Sequence, residues 1–270
     1  MENKLFSVKD KVVVITGGVG ILGTSMTNHL LAEGAKVAVL DRNREAGEKL
    51  AAESKHRDTL AFFYTDVLDK STLEQNRTAI LAKFGRVDVL INGAGGNMPG
   101  ATIAPDRTIF DLDVEAFKKV VDLNLFGTVL PTLVFAKQMV VQKMGSIINI
   151  ASESALRPLT RVAGYGTAKA AVRNFTQYMA GELALKFGEG LRINAIAPGF
   201  FITEQNRTLL TNPDGSYTER GKQVVAHTPF RRFGVPDELL GAIQYLASEA
   251  SRFVTGTTLV IDGGFDAFSI

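Results

Sequence analysis

Short runs of β-branched and apolar residues alternate with longer amphipathic segments along almost the whole chain. The first run, KVVVIT at Lys11–Thr16, has no polar alternation, which is typical of a strand that is buried on both faces. The segment after it carries apolar residues at helical spacing, and Gly34 marks its end. Repeated strand–helix alternation predicts an α/β protein whose sheet is mainly parallel, with helices on both faces.

Seven strands and six longer helices follow from this reading. The predicted strands are Lys11–Thr16, Lys36–Leu40, Leu60–Thr65, Val87–Ile91, Ser146–Ile150, Leu191–Ile196 and Thr258–Ile261. The predicted helices are Gly20–Glu33, Arg44–Lys55, Ser71–Phe84 (opened by a capping box of Ser71 and Glu74), Val114–Val141, Ala163–Phe187 and Pro236–Ser248. Since no linker, charge block or repeat interrupts them, we expect one doubly wound Rossmann-type domain over 1–270. Its cofactor half would be about 1–150 and its catalytic and substrate-loop half about 151–270.

The composition excludes several classes of protein. Thirty Lys and Arg against 28 Asp and Glu give a net charge of +2. This small excess of positive charge does not indicate binding to nucleic acid or acidic lipid. The chain has no Cys, and its three His are far apart, so we expect neither thiol chemistry nor a metal site. The N-terminus is polar, and no apolar run approaches the ~20 residues of a membrane span, so we expect a cytoplasmic protein.

A glycine-rich turn follows the first strand directly. Thr16–Gly23 reads TGGVGILG, and it contains the spacing G-x-G-x-x-G between a strand and a helix. Glycines let the backbone approach a pyrophosphate closely, and a helix N-terminus offers unpaired N–H groups and a positive dipole. This context predicts a dinucleotide site. Its expected contacts are Gly17, Gly18, Gly20, Ile21 and Leu22.

Polar or small residues end the next strands. Asp41 lies about 20 residues beyond the glycines, where a carboxylate can accept hydrogen bonds from ribose hydroxyls and repel a 2′-phosphate. We therefore expect NAD(H) to be preferred, although Arg42 leaves NADP(H) open. Asp66 could bind the adenine amino group. The other expected contacts at these strand ends are Val67, Asn92, Gly93 and Ala94.

Tyr165 and Lys169 are four residues apart, so they share one face of a helix. A neighbouring ammonium favours the phenolate and would lower the pKa of the phenol towards neutrality, which suits proton transfer to or from a substrate oxygen. Ser152 follows the fifth strand and Asn124 lies within the preceding long helix. The carboxyl ends of parallel strands share one edge, which is where such sheets bind ligands.

These motifs together resemble the classical short-chain dehydrogenases/reductases over nearly the whole chain. The matching segments are TGGVGILG, Asp66, NGAG at Asn92–Gly95, Asn124, Ser152, Tyr165-x-x-x-Lys169, Asn194-x-x-x-Pro198-Gly199-x-x-x-Thr203 and VIDGGF at Val260–Phe265. Two positions depart from the family pattern: Ile21 replaces a motif glycine, whose neighbour Gly20 lies one residue earlier, and Gly93 replaces the second Asn of N-N-A-G.

The resemblance implies a role for each matching residue. Tyr165 would be the general acid/base, and Ser152 would hold the reacting oxygen. Lys169 would lower the phenol pKa and bind the nicotinamide ribose, and Asn124 would hold a water of the proton relay. The nicotinamide would lie against Pro198, Gly199, Ile202 and Thr203. The family is mostly tetrameric, so a homotetramer is expected.

Longer segments such as NGAGGNMPGAT, APGFFITEQNRTLL and NPDGSYTERGKQVVAHTPFRRFG resemble the D-mannonate oxidoreductase (fructuronate reductase) branch of this family. That branch interconverts D-fructuronate and D-mannonate with a nicotinamide cofactor. Residues with suitable chemistry for a hexuronate are Asn97, Ser154, Arg157, Arg161, Gln205, Asn206 and His227. The alternatives are gluconate 5-dehydrogenase or another polyol or sugar dehydrogenase, a 3-oxoacyl carrier-protein reductase, and a non-catalytic NAD sensor.

Overall fold

Seven strands form one sheet in the computed structural model, which describes residues 4–204 and 206–267. The strand order is β3-β2-β1-β4-β5-β6-β7, and each neighbouring pair in it is parallel. The strands are β1 Val12–Thr16, β2 Lys36–Asp41, β3 Leu60–Tyr64, β4 Val89–Asn92, β5 Gly145–Ile150, β6 Leu191–Pro198 and β7 Thr258–Ile261. The doubly wound, seven-stranded sheet expected from the sequence is thereby confirmed.

Helices connect the strands and cover the sheet. They are α1 Ile21–Ala32, α2 Arg44–Glu53, α3 Lys70–Phe84, α4 Val114–Val121, α5 Gly127–Gln142, α6 Ala163–Phe187, α7 Arg207–Leu210, α8 Glu219–His227 and α9 Leu240–Ala247. The predicted C-terminal helix is shorter than expected, because its first turn, Pro236–Leu239, is a 3₁₀ turn.

Both faces of the sheet are buried, as β1 shows. All five of its residues are buried, and successive side chains point to opposite faces. Val13 and Ile15 pack in the apolar layer that includes α1 and α9. Val12 and Val14 pack in the layer that includes α3, α5 and α6. An unbroken apolar run is therefore what this central strand requires.

The strand order reverses next to β1. The chain goes from β1 to β2 on one side, and it later returns to place β4 on the other side. Thr16 consequently pairs with Leu40 in β2 and with Asn92 in β4. Such a reversal opens a crevice beyond the carboxyl ends of the strands, and this is the edge where the glycine-rich turn leaves β1.

The long helix predicted over Val114–Val141 is interrupted. A π-helical segment, Asp122–Phe126, separates α4 from α5, and the N–H of Gly127 donates to the carbonyl five residues earlier. The side-chain Nδ2 of Asn124 also donates to the carbonyl oxygen of Val120 at 2.8 Å. The extra residue in this turn changes the direction of the Asn124 side chain, and π-bulges of this kind are frequent at functional sites.

The continuous segment Val114–Gln142 is long and apolar enough to cross a membrane by length and composition alone, contrary to the expectation from the sequence. Half of its most apolar window is buried within the fold, which is typical of a core helix. Phe135 and Met139, for example, are fully buried against the sheet.

The start of α3 also differs from the prediction. Its cap is Asp69, not Ser71, because the Asp69 carboxylate accepts hydrogen bonds from the backbone N–H groups of Ser71 and Thr72. Hydrogen bonds from the hydroxyls of Thr72 and Ser71 lower the pKa of Asp69 to about 2. An ionised carboxylate two residues upstream is thus a stronger cap than the Ser71 hydroxyl.

Candidate active site

The glycine-rich turn packs tightly against the loop that follows β4. Gly17 has a φ of +68°, and a Cβ there would lie 2.8 Å from the backbone of Ala94. A Cβ on Gly23 would lie 2.2 Å from the carbonyl oxygen of Gly17. Only glycine is compatible with these two positions. The N-cap of α1, Gly20, has no side-chain hydrogen bond, so the helix N-terminus keeps unpaired backbone donors at Ile21 and Leu22.

Asp41 ends β2 and faces the glycine-rich turn. Its Oδ2 accepts from the backbone N–H of Val19 at 3.3 Å, and its Oδ1 accepts from that of Asn43 at 2.9 Å. Both contacts fix the carboxylate beside the turn while leaving acceptor capacity for hydroxyl groups. Arg42 is exposed.

Asp66 and Val67 follow β3 but differ in environment. Asp66 is exposed, and its Oδ1 accepts from the backbone N–H of Leu68 at 2.9 Å. Val67 is buried, and a Cβ on Gly127 would lie 3.0 Å from its side chain. Val67 therefore also packs against the start of α5.

The end of β4 is held by its own hydrogen bonds. Asn92 is buried, and its Nδ2 donates to the hydroxyl of Thr132 at 2.9 Å and to the Oδ1 of Asn149 at 2.8 Å. The backbone N–H groups of Gly93 and Ala94 donate to the hydroxyl of Thr16. The Asn92 side chain thus fixes the strand end, and Gly93 and Ala94 line the turn with their backbone.

Sequence reasoning missed the role of Thr16, which joins the glycine-rich turn to the loop after β4. Its position as the last residue of β1, just before the glycines, was the available signal. A polar hydroxyl that is fully buried at a strand end requires a partner.

Asn124 and Lys169 flank Gly95. A Cβ on Gly95 would lie 2.7 Å from the Oδ1 of Asn124 and 3.3 Å from the Nζ of Lys169. Asn124 is fully buried, and its side chain both accepts from the N–H and donates to the carbonyl oxygen of Gly96. The π-helical turn therefore holds the loop after β4 against α6.

The hydroxyl groups of Tyr165 and Ser152 face each other closely enough to interact. Ser152 is buried at the end of β5, and its Oγ also accepts from the backbone N–H of Ser154 at 3.2 Å. The Tyr165 ring packs against Ala101 and Val120. The Ser152 hydroxyl and the Tyr165 phenol can thus both hydrogen-bond to the same oxygen atom of a substrate.

The expected lowering of the Tyr165 pKa is not what the structure shows. Burial raises the pKa of the phenol, and the interaction with Ser152 opposes this only in part. Lys169 lies with its Nζ 5.6 Å from the centre of the Tyr165 ring and donates to the carbonyl oxygen of Ile150 at 2.7 Å. Because Lys169 is itself buried, its own pKa falls to about 8.

The basic residues proposed for the substrate have different surroundings. Arg157 forms an ion pair with Asp266, with 2.8 Å between Nε and Oδ1, so its guanidinium has a partner within the chain. This favours a structural role for Arg157 over a substrate role. Arg161 is half-buried with a φ of +75°, and its carbonyl oxygen accepts from the backbone N–H of Ile103.

Arg220, on α8, was not anticipated from the sequence. Burial, together with the charge of Arg161, lowers its pKa. Neither guanidinium has an acidic partner among the residues that the structure describes. Two half-buried cations in this arrangement would be stabilised by an anion.

The remaining candidates are divided between internal contacts and free polar atoms. Asn206 accepts from the N–H of Thr203 and donates to the carbonyl oxygen of Phe201, so its side chain folds the loop after β6, in which Ile202 is half-buried. Gly199 donates its N–H to the carbonyl oxygen of Ile261, just after Pro198 ends β6. Gln205 lies outside the described residues.

Asn97, Ser154 and His227 complete the predicted set. Asn97 donates to the hydroxyl of Thr102, and its buried Oδ1 has no partner among the described residues, nor has the Oγ of Ser154. The ring of His227 packs edge-on against Phe265, with 4.6 Å between ring centres. Asn97 and Ser154 therefore have atoms left to bind a polar ligand.

Comparison with known proteins matches these features. A family profile for short chain dehydrogenases matches residues 11–214. An uncharacterized oxidoreductase of Bacillus subtilis, UxuB, is 44% identical over 270 aligned residues and covers 96% of each chain.

Two solved structures share the fold over nearly the whole length. One is a Haemophilus influenzae protein with bound NAD, provisionally named a D-mannonate oxidoreductase. It has a TM-score of 0.90 and 41% identity and covers 97% of both chains. The other is a gluconate 5-dehydrogenase from Burkholderia cenocepacia in complex with NADP and tartrate. Its TM-score is 0.87 with 30% identity, over 98% of this chain and 99% of that one.

The assembled Ser152, Tyr165 and Lys169, the glycine-rich turn and the matched profile agree with one another. The chain belongs to the short-chain dehydrogenase family, whose members are oxidoreductases.

Proposed function

We propose that this protein is an NAD(H)-dependent oxidoreductase that interconverts D-fructuronate and D-mannonate. The observation that carries the oxidoreductase chemistry is that Asn124 and Lys169 flank Gly95, in the loop that packs on the glycine-rich turn, while Tyr165 lies beside both Lys169 and Ser152. The likeness to the Haemophilus influenzae structure with bound NAD supports the choice of substrate and cofactor.

The residues of the crevice fit a nicotinamide dinucleotide. The turn at Gly17 and Gly23 leaves no room for side chains, and the uncapped N-terminus of α1 offers backbone donors to a pyrophosphate. Asp41 is fixed where it can accept from ribose hydroxyls and repel a 2′-phosphate. These features favour NAD over NADP, and the exposed Arg42, next to Asp41 in the chain, would soften the preference.

Residues of the chain itself transfer the proton and stabilise the negative charge that develops on the substrate oxygen. When bound, the cofactor supplies or accepts the hydride. In reduction, the oxygen of the substrate carbonyl gains negative charge, and Tyr165 donates a proton to it while Ser152 donates a hydrogen bond. The raised pKa of the half-buried phenol keeps it protonated at neutral pH, as this direction requires.

Lys169 and Asn124 position this machinery. The Lys169 ammonium is fixed by the Ile150 carbonyl and lies under the Tyr165 ring, where it stabilises negative charge on the phenol when the reaction runs towards oxidation. Asn124 holds the backbone of Gly96 and thereby the loop that lines the site. The alternation of a neutral and an ionised phenol is the general acid/base step.

A hexuronate carries a carboxylate and several hydroxyls, and the described residues include suitable partners for both. Arg161 and Arg220 provide positive charge without an acidic partner among the described residues. The free oxygens of Ser154 and Asn97 can accept or exchange hydrogen bonds with hydroxyls. A polyol or sugar dehydrogenase such as gluconate 5-dehydrogenase is the second candidate, because a gluconate 5-dehydrogenase shares the fold at 30% identity.

A substrate panel with NADH and NADPH tests this proposal. We expect the highest kcat/KM with fructuronate and NADH, lower values with ketogluconates and pentuloses, and no turnover of acyl thioesters. Tyr165→Phe should bind NADH as the parent does, while kcat falls by about 10²–10⁴-fold. Undiminished turnover by that variant would overturn the mechanism, whereas a preference for ketogluconate would change only the substrate.

The proposal extends to assembly and location. Several apolar side chains of the long helices are exposed, among them Phe126, Leu133, Val141, Tyr178 and Leu185. We propose that the protein is a homotetramer, whose subunit contacts would cover such surfaces, and that it is located in the cytoplasm. Light scattering on the purified protein measures the number of subunits. A monomer in solution would contradict this part of the proposal.

A further inference from the structure

A buried carboxyl group lies immediately beside the catalytic serine. Glu153 follows Ser152 and begins a 3₁₀ turn, Glu153–Ala155. Its side chain is 1% exposed, and neither of its oxygens has a hydrogen-bond partner among the described residues. A carboxylate in that situation would be strongly destabilised, since burial without donors removes its hydration without replacement.

The surroundings of Glu153 are mostly acidic. Asp266 and Asp262, from the segment after β7, act on it electrostatically, and Asp266 is the neighbour that a protonated Glu153 could donate to. Within the described part of the chain, the cation that faces this group is Arg157, whose Nε lies 3.8 Å from Glu153 Oε1 but only 2.8 Å from Asp266 Oδ1. Arg157 also donates from a second nitrogen to the backbone carbonyl of Asp266.

The three acids are not equivalent. Asp262 accepts from the backbone N–H groups of Gly264 at 2.8 Å and Asp266 at 2.6 Å, so its charge is satisfied locally. Asp266 has the guanidinium of Arg157. Glu153 has neither, so it is the acid that retains a proton, and a protonated carboxyl can donate a hydrogen bond to a neighbouring carboxylate.

The acidic segment, Asp262–Asp266, contacts several parts of the active site. A Cβ on Gly199 would lie 2.7 Å from Asp262, so the segment packs against the loop after β6. Phe265 packs against Phe200 and against His227 on α8. Whatever holds this segment to the Ser152 turn therefore also positions the loops around the substrate.

We propose that Glu153 and Asp266 share one proton and that this hydrogen bond fastens the Asp262–Asp266 segment to the Ser152 turn. Glu153 is thus a positioning residue. Loss of the proton places an unpaired carboxylate against Asp266 and Asp262, and the repulsion releases the segment. Burial and the neighbouring acids raise the pKa of Glu153 to about 7, against the opposing effect of Arg157. Release is therefore expected as the pH rises through neutrality.

Infrared difference spectroscopy tests the shared proton directly, without substrate. A protonated carboxyl has a C=O band that a carboxylate lacks. The difference between about pH 6 and about pH 8 should show this band in the parent and not in Glu153→Gln, whose amide can donate to Asp266 but cannot titrate. Glu45→Gln, at an exposed position on α2, is the matched control and should keep the band. An unchanged band in Glu153→Gln would overturn the proposal.

Hydrogen exchange and kinetics test the consequence. After correction for the intrinsic effect of pH, exchange in Asp262–Asp266 should increase from pH 6 to 8 in the parent, and KM for whichever substrate is turned over should rise with the same midpoint. Both changes should be lost in Glu153→Gln. In Asp266→Asn, which serves if Glu153→Gln does not fold, the midpoint should move to lower pH. A midpoint that stays near 7 there would contradict the shared proton.

Discussion

Asn124 binds both backbone polar groups of Gly96: its Oδ1 accepts from the Gly96 N–H at 2.9 Å and its Nδ2 donates to the Gly96 carbonyl at 2.7 Å. The same Nδ2 donates to Val120 in the preceding helical turn. A single buried amide therefore joins the π-helical turn to the loop that lines the site.

Asn124→Ala removes these three hydrogen bonds at once. At roughly 1 kcal/mol net for each bond, we expect the free energy of unfolding to fall by about 2–3 kcal/mol. We also expect kcat to fall by roughly 10- to 100-fold, because Gly95 and Lys169 lose their fixed neighbour. Denaturant titration and steady-state kinetics measure the two effects. Asn28→Ala, on the exposed side of α1, should change neither.

Lys169 connects catalysis to stability. Its pKa falls from 10.5 to about 8 because it is buried, so between these values the native protein binds fewer protons than the unfolded chain. Its contribution therefore makes the free energy of unfolding rise with pH over this window, by about 3 kcal/mol at most.

Lys169→Met should abolish that rise, and it should also abolish most turnover. Denaturant titrations at pH 8 and pH 10 compare the slopes of the parent and the variant. Lys137→Met, an exposed position on α5, is the control and should retain the parent's slope. The same slope in Lys169→Met would show that the buried ammonium is not its source.

Asp41 should decide the choice between NADH and NADPH. Asp41→Ala removes the acceptor for ribose hydroxyls and the repulsion of a 2′-phosphate, while Arg42 remains beside it. We expect the ratio of Kd values for NADPH and NADH to fall by roughly tenfold or more, which corresponds to about 1.4 kcal/mol. Fluorescence titration of both cofactors gives the ratio, and Asp58→Ala, exposed before β3, should leave it unchanged.

Arg161 and Arg220 should distinguish charged from neutral substrates. Replacing either with Gln removes a cation that lacks an acidic partner within the described ranges. We expect KM for a hexuronate to rise by roughly 10- to 100-fold, as for the loss of a charged hydrogen bond, and KM for an uncharged polyol to change little. Equal losses on both substrates would point to damage to the fold. Arg252→Gln, exposed and far from this edge, is the control.

The sequence alone determined the sheet and the identity of the motifs. Unbroken apolar runs such as the one in β1 are typical of central strands, and Gly18, Gly20 and Gly23 have the spacing of a dinucleotide-binding turn between a strand and a helix. These are local properties, readable from neighbours in the chain. The exact start of α3 was misjudged, because Asp69 and Ser71, two residues apart, can both cap the helix and the carboxylate of Asp69 does so.

Only the tertiary structure decided which polar groups remain available for chemistry. Arg157 was indistinguishable from Arg161 in the sequence, but Asp266, more than 100 residues later, pairs with the one and not with the other. The π-helical turn at Asn124 and the raised pKa values of Tyr165 and Glu153 likewise depend on packing between distant segments. The charge state of a side chain depends on its burial and on its distance from charged or hydrogen-bonding partners. Neither quantity can be read from the amino-acid sequence.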